Sequence, residues 1–260
     1  MIKCVHCGAE NEPIFTYCLS CGKPLEQSLS SFKPRPAPTT GVGSYSLFAV
    51  RADGGIGTEY QLIDGLNTIG SKGPEVVVKD DPRVADQHAT VELGGEMAFL
   101  EDLGTRHGTF LRVRDERSLS NGDQLRIGHA LFNLELRGKR PQPAADGSTW
   151  LGSAGVESEF FGRLLRLGPD DVVIEAHLLH PPETTMGRTG GDILMPDDPF
   201  VSSRHAAFVW TGSSCVLKDT GSTNGCYLRA RGRVAINDGD YMLLGHHVFL
   251  FKRSKESAGK

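Results

Sequence analysis

The apolar residues of this 260-residue chain come in short runs interrupted by turn formers. Ser46-Leu47-Phe48-Ala49-Val50, Ala89-Thr90-Val91-Glu92-Leu93 and Ala98-Phe99-Leu100 are continuous or alternating stretches. Asp53-Gly54-Gly55, Gly94-Gly95 and Asn121-Gly122-Asp123 break the pattern as turns. Cys215-Val216-Leu217, Tyr241-Met242-Leu243-Leu244 and Val248-Phe249-Leu250-Phe251 repeat the theme farther on. No window of a dozen residues carries an apolar period of about 3.6 residues, so strands and not helices are expected. Many short strands at close spacing predict β-sandwiches, whose connecting loops gather at the ends and bring distant residues together.

The pattern occurs twice. Gly70, His88, Gly108, Gly122 and Gly128 recur 117 positions later, without a gap, as Gly187, His205, Gly225, Gly239 and Gly245. Asp81-Pro82 returns as Asp198-Pro199, and Asp102 as Asp219. A period of this length marks a duplicated domain, since stacked solenoid units run to roughly 20–50 residues. The chain divides accordingly into a cysteine module (1–24), a linker (25–44), a first repeat (45–138), a second linker (139–160), a second repeat (161–253) and a polar tail (254–260). Ser, Pro and Thr dominate the first linker, and little apolar surface is there to bury, so it reads as semi-extended. Trp150-Leu151 interrupts the second linker without an assigned place.

A hydrophobic share of 38% with 23% charged residues fits soluble globular modules. A net charge of −4 argues against bulk attraction to nucleic acid or to an anionic membrane. No apolar run approaches the roughly 18 residues of a spanning helix, and the first residues are not an apolar signal segment. The expected location is the cytoplasm, where cysteine clusters bind metal more often than they form disulfides.

The two repeats share landmarks but differ beside them. Gly187 is followed by Arg188 whereas Gly70 is followed by Ser71; Ser202 aligns with Ala85; Ser222-Thr223-Asn224-Gly225 aligns with Thr105-Arg106-His107-Gly108. A phosphate monoester carries roughly −1.5 to −2 charges and three strong acceptor oxygens, so a site for one needs a fixed cation and short donors. Arg188 supplies a planar, charge-assisted contact and Ser202 a hydroxyl at short reach. Arg204 adds a second positive charge or lies on the rim. Asn224 has a two-sided amide suited to a peptide backbone. Each hydrogen bond to a charged group contributes roughly 1.5–3 kcal/mol.

Gly187-Arg188, Ser202-Ser203-Arg204-His205 and Asp219-Thr220-Gly221-Ser222-Thr223-Asn224-Gly225 together resemble the signature of the forkhead-associated (FHA) domain. The resemblance covers both repeats, residues 45–253. It implies eleven-stranded β-sandwiches that bind phosphothreonine peptides through loops at one end. It implies phosphopeptide contacts from Arg188, Ser202, Ser203, Arg204, Thr223 and Asn224, with Thr223 against the phosphothreonine methyl group. Gly187, His205 and Gly225 are expected as structural braces of those loops, because their counterparts persist in the copy that has lost the phosphate ligands. That first copy, with Ser71, Ala85 and Arg106-His107, is expected not to read phosphothreonine, since phosphate desolvation without a cation is costly. It is left as a packing partner for its sister, as a binder of unmodified protein, or, with Arg83, Arg106 and His107, as a rearranged anion site. Cys215 and Cys226 read as small apolar packers, and His246-His247 as a turn before the last strand, without a metal.

Cys4-x-x-Cys7 and Cys18-x-x-Cys21 offer four thiolates on two tight turns, each pair followed by a glycine (Gly8, Gly22). This set suits one tetrahedral structural Zn²⁺ and resembles the short zinc ribbons at the N-termini of many multidomain proteins. A module this small needs the metal to fold, and four cysteines leave no open catalytic position.

The expected architecture is therefore all-β: a four-cysteine zinc ribbon and two FHA-type sandwiches joined by flexible linkers. The expected function is a non-enzymatic, phosphothreonine-dependent adaptor in serine/threonine kinase signalling, with a kinase or its substrate as partner. The alternative is an assembly subunit whose sandwiches and ribbon bind protein surfaces independently of phosphate. No P-loop, Gly-x-Ser-x-Gly turn or kinase motif argues for an enzyme.

Overall fold

Each repeat breaks into short strands where turn residues interrupt its apolar runs, and the computed structural model describes residues 2–3, 8–11, 45–72, 75–114, 116–137 and 160–253. The chain falls into two units, Met1–Gly41 and Val42–Lys260. In the first, β1 (Ile2–Lys3) pairs antiparallel with β2 (Glu10–Asn11). Gly8, in the turn between them, has φ 76°. Cys4, Cys7, Cys18 and Cys21 lie outside the described residues, as do both linkers apart from Phe160.

The second unit is all strand apart from turns. The first repeat supplies β3 (Tyr45–Val50), β4 (Ile56–Leu62), β5 (Gly65–Gly70), β6 (Val76–Val77), β7 (Ala89–Gly94), β8 (Met97–Asp102), β9 (Thr109–Arg112), β10 (Glu116–Leu119), β11 (Gln124–Ile127) and β12 (Ala130–Leu136). The second supplies β13 (Gly162–Leu167), β14 (Val173–Leu179), β15 (Glu183–Gly187), β16 (Ile193–Leu194), β17 (Ala206–Trp210), β18 (Cys215–Asp219), β19 (Cys226–Arg229), β20 (Arg233–Ile236), β21 (Tyr241–Leu244) and β22 (His247–Arg253).

The repeats do not close on themselves. A ten-stranded sheet runs β14-β13-β12-β11-β19-β9-β21-β22-β3-β4, and two five-stranded sheets run β10-β18-β17-β15-β16 and β20-β8-β7-β5-β6. Strands β10 to β12 of the first repeat therefore complete the sandwich of the second, and β20 to β22 complete that of the first. Each sandwich takes seven strands from one repeat and three from the other, against the eleven expected from the resemblance. The two cores say the same. One gathers Leu125, Ile127, Phe132 and Leu134 around Leu164, Phe208, Leu217 and Cys226. The other gathers Met242, Leu244, Phe249 and Phe251 around Leu47, Ile69, Val91 and Leu100.

The expected boundaries of 45–138 and 161–253 thus delimit the repeats but not the sandwiches. At the centre, β9 and β19 lie antiparallel, with Arg112 opposite Tyr227 and Phe110 opposite Arg229. The next strands, β10 after β9 and β20 after β19, lie in the partner sandwich. The amides of Val113 and Ala230 tie this crossing to the carbonyls of Cys226 and Thr109, each at 2.8 Å. Ion pairs Arg114–Asp240 (2.7 Å) and Arg231–Asp123 (3.2 Å) repeat the reciprocity at the flanks. The exchange is possible because the exchanged triplets carry the same inward pattern: Leu119, Leu125, Ile127, Phe132 and Leu134 against Ile236, Met242, Leu244, Phe249 and Phe251.

Candidate functional site

Two loops meet at one rim of the sandwich built on the second repeat. The first connects β16 to β17 and carries Ser202, Ser203 and Arg204; the second connects β18 to β19 and carries Thr223 and Asn224. Arg188 follows directly on β15, where its amide donates to the Ser202 carbonyl at 2.8 Å. Gly187 precedes it because a Cβ there would collide with the carbonyl oxygens of Ser203 and Gly190.

His205 holds the two loops together. It is fully buried, and burial pushes its imidazole below the ordinary histidine range. Its Nδ1 accepts the Ser202 amide at 3.0 Å, which places the proton on Nε2, 3.2 Å from the Gly225 carbonyl. Its own amide donates to the Met186 carbonyl at 2.9 Å, and its carbonyl accepts the Thr220 amide at 3.1 Å. The second loop is organised by Asp219, whose carboxylate takes the amides of Gly221, Ser222 and Cys226 and the Ser222 hydroxyl, all between 2.7 and 3.1 Å. Ser222 Oγ accepts the Gly225 amide at 2.9 Å. Such side-chain-to-backbone closure makes the loop rigid without a ligand.

Within that frame, Ser202 Oγ accepts the Thr223 amide at 3.1 Å, and Asn224 Nδ2 donates to the Phe200 carbonyl at 2.8 Å. The Ser203 carbonyl takes the Gly190 amide at 3.0 Å. Ser203, Arg204, Thr223 and Asn224 are exposed, and Arg188 and Ser202 half-buried. Among the described residues no carboxylate lies within ion-pair distance of Arg188 or Arg204. The rim presents two uncompensated cations, a hydroxyl whose hydrogen is not engaged by the Thr223 amide, and an amide carbonyl oxygen.

The equivalent rim of the other sandwich has the same skeleton and different chemistry. His88 is fully buried, accepts the Ala85 amide on Nδ1 at 3.1 Å and lies with Nε2 3.1 Å from the Gly108 carbonyl. Asp86 stands at the position of Ser203. Its carboxylate takes the Ser71 hydroxyl at 2.9 Å and the Lys72 ammonium at 3.0 Å. The Lys72 contact, then that of Ser71, lowers the Asp86 carboxyl below its ordinary range. Arg106 is paired with Asp170, in a turn where Asp170 and Asp171 take φ of 57° and 58°. Of the three groups expected to leave positive charge here, only Arg83 and His107 are without a carboxylate partner among the described residues.

Three residues of this site were not singled out from the sequence. Phe200 anchors Asn224. His129, from the β11–β12 turn of the first repeat, packs edge-on against Phe200 with ring centroids 4.2 Å apart. Arg112, also of the first repeat, reaches the Ser222 carbonyl (3.4 Å) and fills the space beside Gly225. The repeated Gly128-His129 and Gly245-His246 pairs were visible as a signal, but not the repeat that each serves. His246 sits in the turn before β22, and its amide donates to Asp81 of the other repeat at 2.8 Å. Cys215 and Cys226 are fully buried; burial raises the Cys215 thiol to about 12 and raises Cys226 as well, consistent with apolar packing.

This combination of sandwich and paired loops corresponds to the FHA domain, whose family model matches residues 67–128 and 184–245. The FHA model thus matches the chain twice, in tandem. Because of the exchange, each segment runs from one sandwich into the other. Residues 2–26 match a family described as a domain of unknown function, DUF7577. The chain is 34% identical over 163 residues to the transcriptional regulatory protein EmbR of Mycobacterium tuberculosis, covering 58% of this chain and 42% of EmbR. It is 32% identical over 83 residues to the FHA domain-containing protein FhaA of the same organism, covering 31% of this chain and 16% of FhaA. The chain thus spans less than half the length of these relatives. Among solved structures, M. tuberculosis EmbR in complex with a low-affinity phosphopeptide is 34% identical over 33% of this chain and 23% of that one, with a TM-score of 0.19.

Proposed function

We propose that this protein is a non-enzymatic adaptor that binds phosphothreonine-containing proteins through the rim of the second repeat's sandwich. The carrying observation is the pair of uncompensated guanidinium groups, Arg188 and Arg204, on a loop frame already closed by His205 and Asp219. A dianionic phosphate entering there meets cations that no internal carboxylate neutralises, beside the Ser202 hydroxyl. Asn224 holds the peptide backbone, and Thr223 lies against the phosphothreonine methyl group. The EmbR structure with a phosphopeptide supports this reading. The partner is a serine/threonine kinase or its substrate, and the site of action is the cytoplasm.

The first repeat's rim does not read phosphate in this proposal, because Asp86 already occupies the position of the incoming anion. For the N-terminal unit we propose one structural Zn²⁺ on Cys4, Cys7, Cys18 and Cys21. The β1–β2 pairing and the left-handed Gly8 are compatible with a tight turn after Cys7. The metal would supply only folding energy. Elemental analysis of the purified chain should return one zinc; none would refute the assignment.

The functional reading is tested by titrating the full chain with a phosphothreonine peptide pool, its unphosphorylated twin, and both against Arg188→Ala. Binding that requires phosphate and drops by a factor of roughly 10 to 100 or more in the variant is expected, at about 1.5–3 kcal/mol per lost charge-assisted bond. Equal binding of both pools would refute it.

A further inference from the structure

The wall beside Asn224 is built by both repeats. Phe200, 43% exposed, presents its ring to solvent, while its backbone carbonyl holds the Asn224 amide. His129 of the first repeat stands against that ring, with its own side chain 61% exposed. Asp198 fixes the pair from below. It accepts the His129 amide on Oδ2 at 2.7 Å and the Phe200 amide on Oδ1 at 3.0 Å, with His129 Nδ1 3.4 Å from Oδ1. Its side chain is nearly buried, so its charge is spent on these donors. A Cβ at Gly128 would overlap the Asp198 carboxylate and the Val201 side chain, so the turn approaches as closely as the chain allows.

We propose that the His129–Phe200 pair is a specificity-determining ledge for an apolar side chain flanking the phosphothreonine. The proposal rests on the phosphothreonine reading of this rim. An exposed aromatic pair joined by one hydrogen bond to the group that grips the peptide backbone offers dry contact area at little entropic cost. The other residues assigned to the phosphopeptide, Arg188, Ser202, Ser203, Arg204, Thr223 and Asn224, are polar or cationic, so this pair is where an apolar residue gains by docking. The other rim lacks the ledge: Arg83 stands where Phe200 does, opposite His246. Through His129 the degenerate repeat takes part in its sister's selectivity, which neither repeat possesses alone.

An oriented phosphothreonine peptide library screened on the full wild-type chain, Arg188→Ala, His129→Ala and His129→Phe tests this. Wild type should prefer an apolar residue at one flanking position. His129→Ala should keep phosphate-dependent binding while its preference for that residue falls by about tenfold, and His129→Phe should retain it. An unchanged preference profile in His129→Ala overturns the ledge, as does a wild-type preference for a charged residue at the flanking positions. So does loss of all phosphopeptide binding in both His129 variants, which would make the residue a structural prop. No phosphate-dependent binding by wild type would overturn the functional reading and the ledge together, whereas the other results leave that reading standing.

Discussion

The two rims share one skeleton and differ in who holds the negative charge. In both, a buried histidine joins the loop before it to a glycine carbonyl, and an aspartate gathers the amides of the facing loop. At the second rim, Arg188 and Arg204 have no carboxylate within ion-pair distance among the described residues. At the first, a cation and an acid are paired internally: Lys72 with Asp86, and Arg106 with Asp170. The difference teaches that landmarks shared by both repeats, such as His88 and His205, maintain loop shape, whereas the chemistry of each rim is set by the residues that differ between them.

The exchange of strands adds a second lesson. The first repeat cannot be removed from the second, because its β10 to β12 fill the second repeat's core. The largest expected effect tests this. Phe132 is fully buried among second-repeat side chains, so Phe132→Ala should destabilise the sandwich that carries Arg188 by about 3–5 kcal/mol. Denaturant unfolding together with phosphopeptide titration would show it. A substitution in the first repeat that left phosphopeptide binding and stability intact would break the comparison.

Moving one carboxylate should convert one rim toward the other. Ser203→Asp places at the competent rim what Asp86 places at the degenerate one. Opposing a dianion with one unit charge at about 4 Å costs roughly 1 kcal/mol per charge pair in water, so affinity should fall by about ten- to thirtyfold. Fluorescence anisotropy with a labelled phosphopeptide measures it, and an unaltered affinity would mean that Ser203 lies outside the site.

The smallest effect is in pH. His205 has a folded-state pKa below its unfolded value of about 6.5, so the fold disfavours its protonation. Its contribution is fully present above about 6.5 and is lost as pH falls through that value toward the lowered folded one. Melting temperature should decline between pH 7.5 and 5.5, and phosphopeptide affinity should weaken over the same range as the phosphate itself takes up a proton near pH 6. Melting curves that stay flat over that interval would contradict the assigned neutral imidazole.

Much of this was legible from residue order. The alternation around Ala89 to Leu93 and Val248 to Phe251 announced strands, and the repeated glycines and His88/His205 announced the duplication. Arg188, Ser202, Thr223 and Asn224 were singled out because the first copy has Ser71, Ala85, Arg106 and His107 in their place. Phe200 was not, because an exposed aromatic beside Pro199 carries no signature until its carbonyl is seen to hold Asn224. Asp86 likewise reads as one surface acid among many until Lys72 and Ser71 close on it.

The chain's order of residues was enough to determine strand content, the duplication, and where the two copies differ in charge and hydroxyl groups, because these follow from local periodicity and residue type. Which core each strand triplet enters was decided only in three dimensions. The inward residues of β10 to β12 and β20 to β22 are so alike that both pairings satisfy the same apolar pattern, and the antiparallel crossing of β9 and β19 selects between them. The placement of His129 beside the other repeat's Phe200, and with it a site made from both copies, follows from that selection.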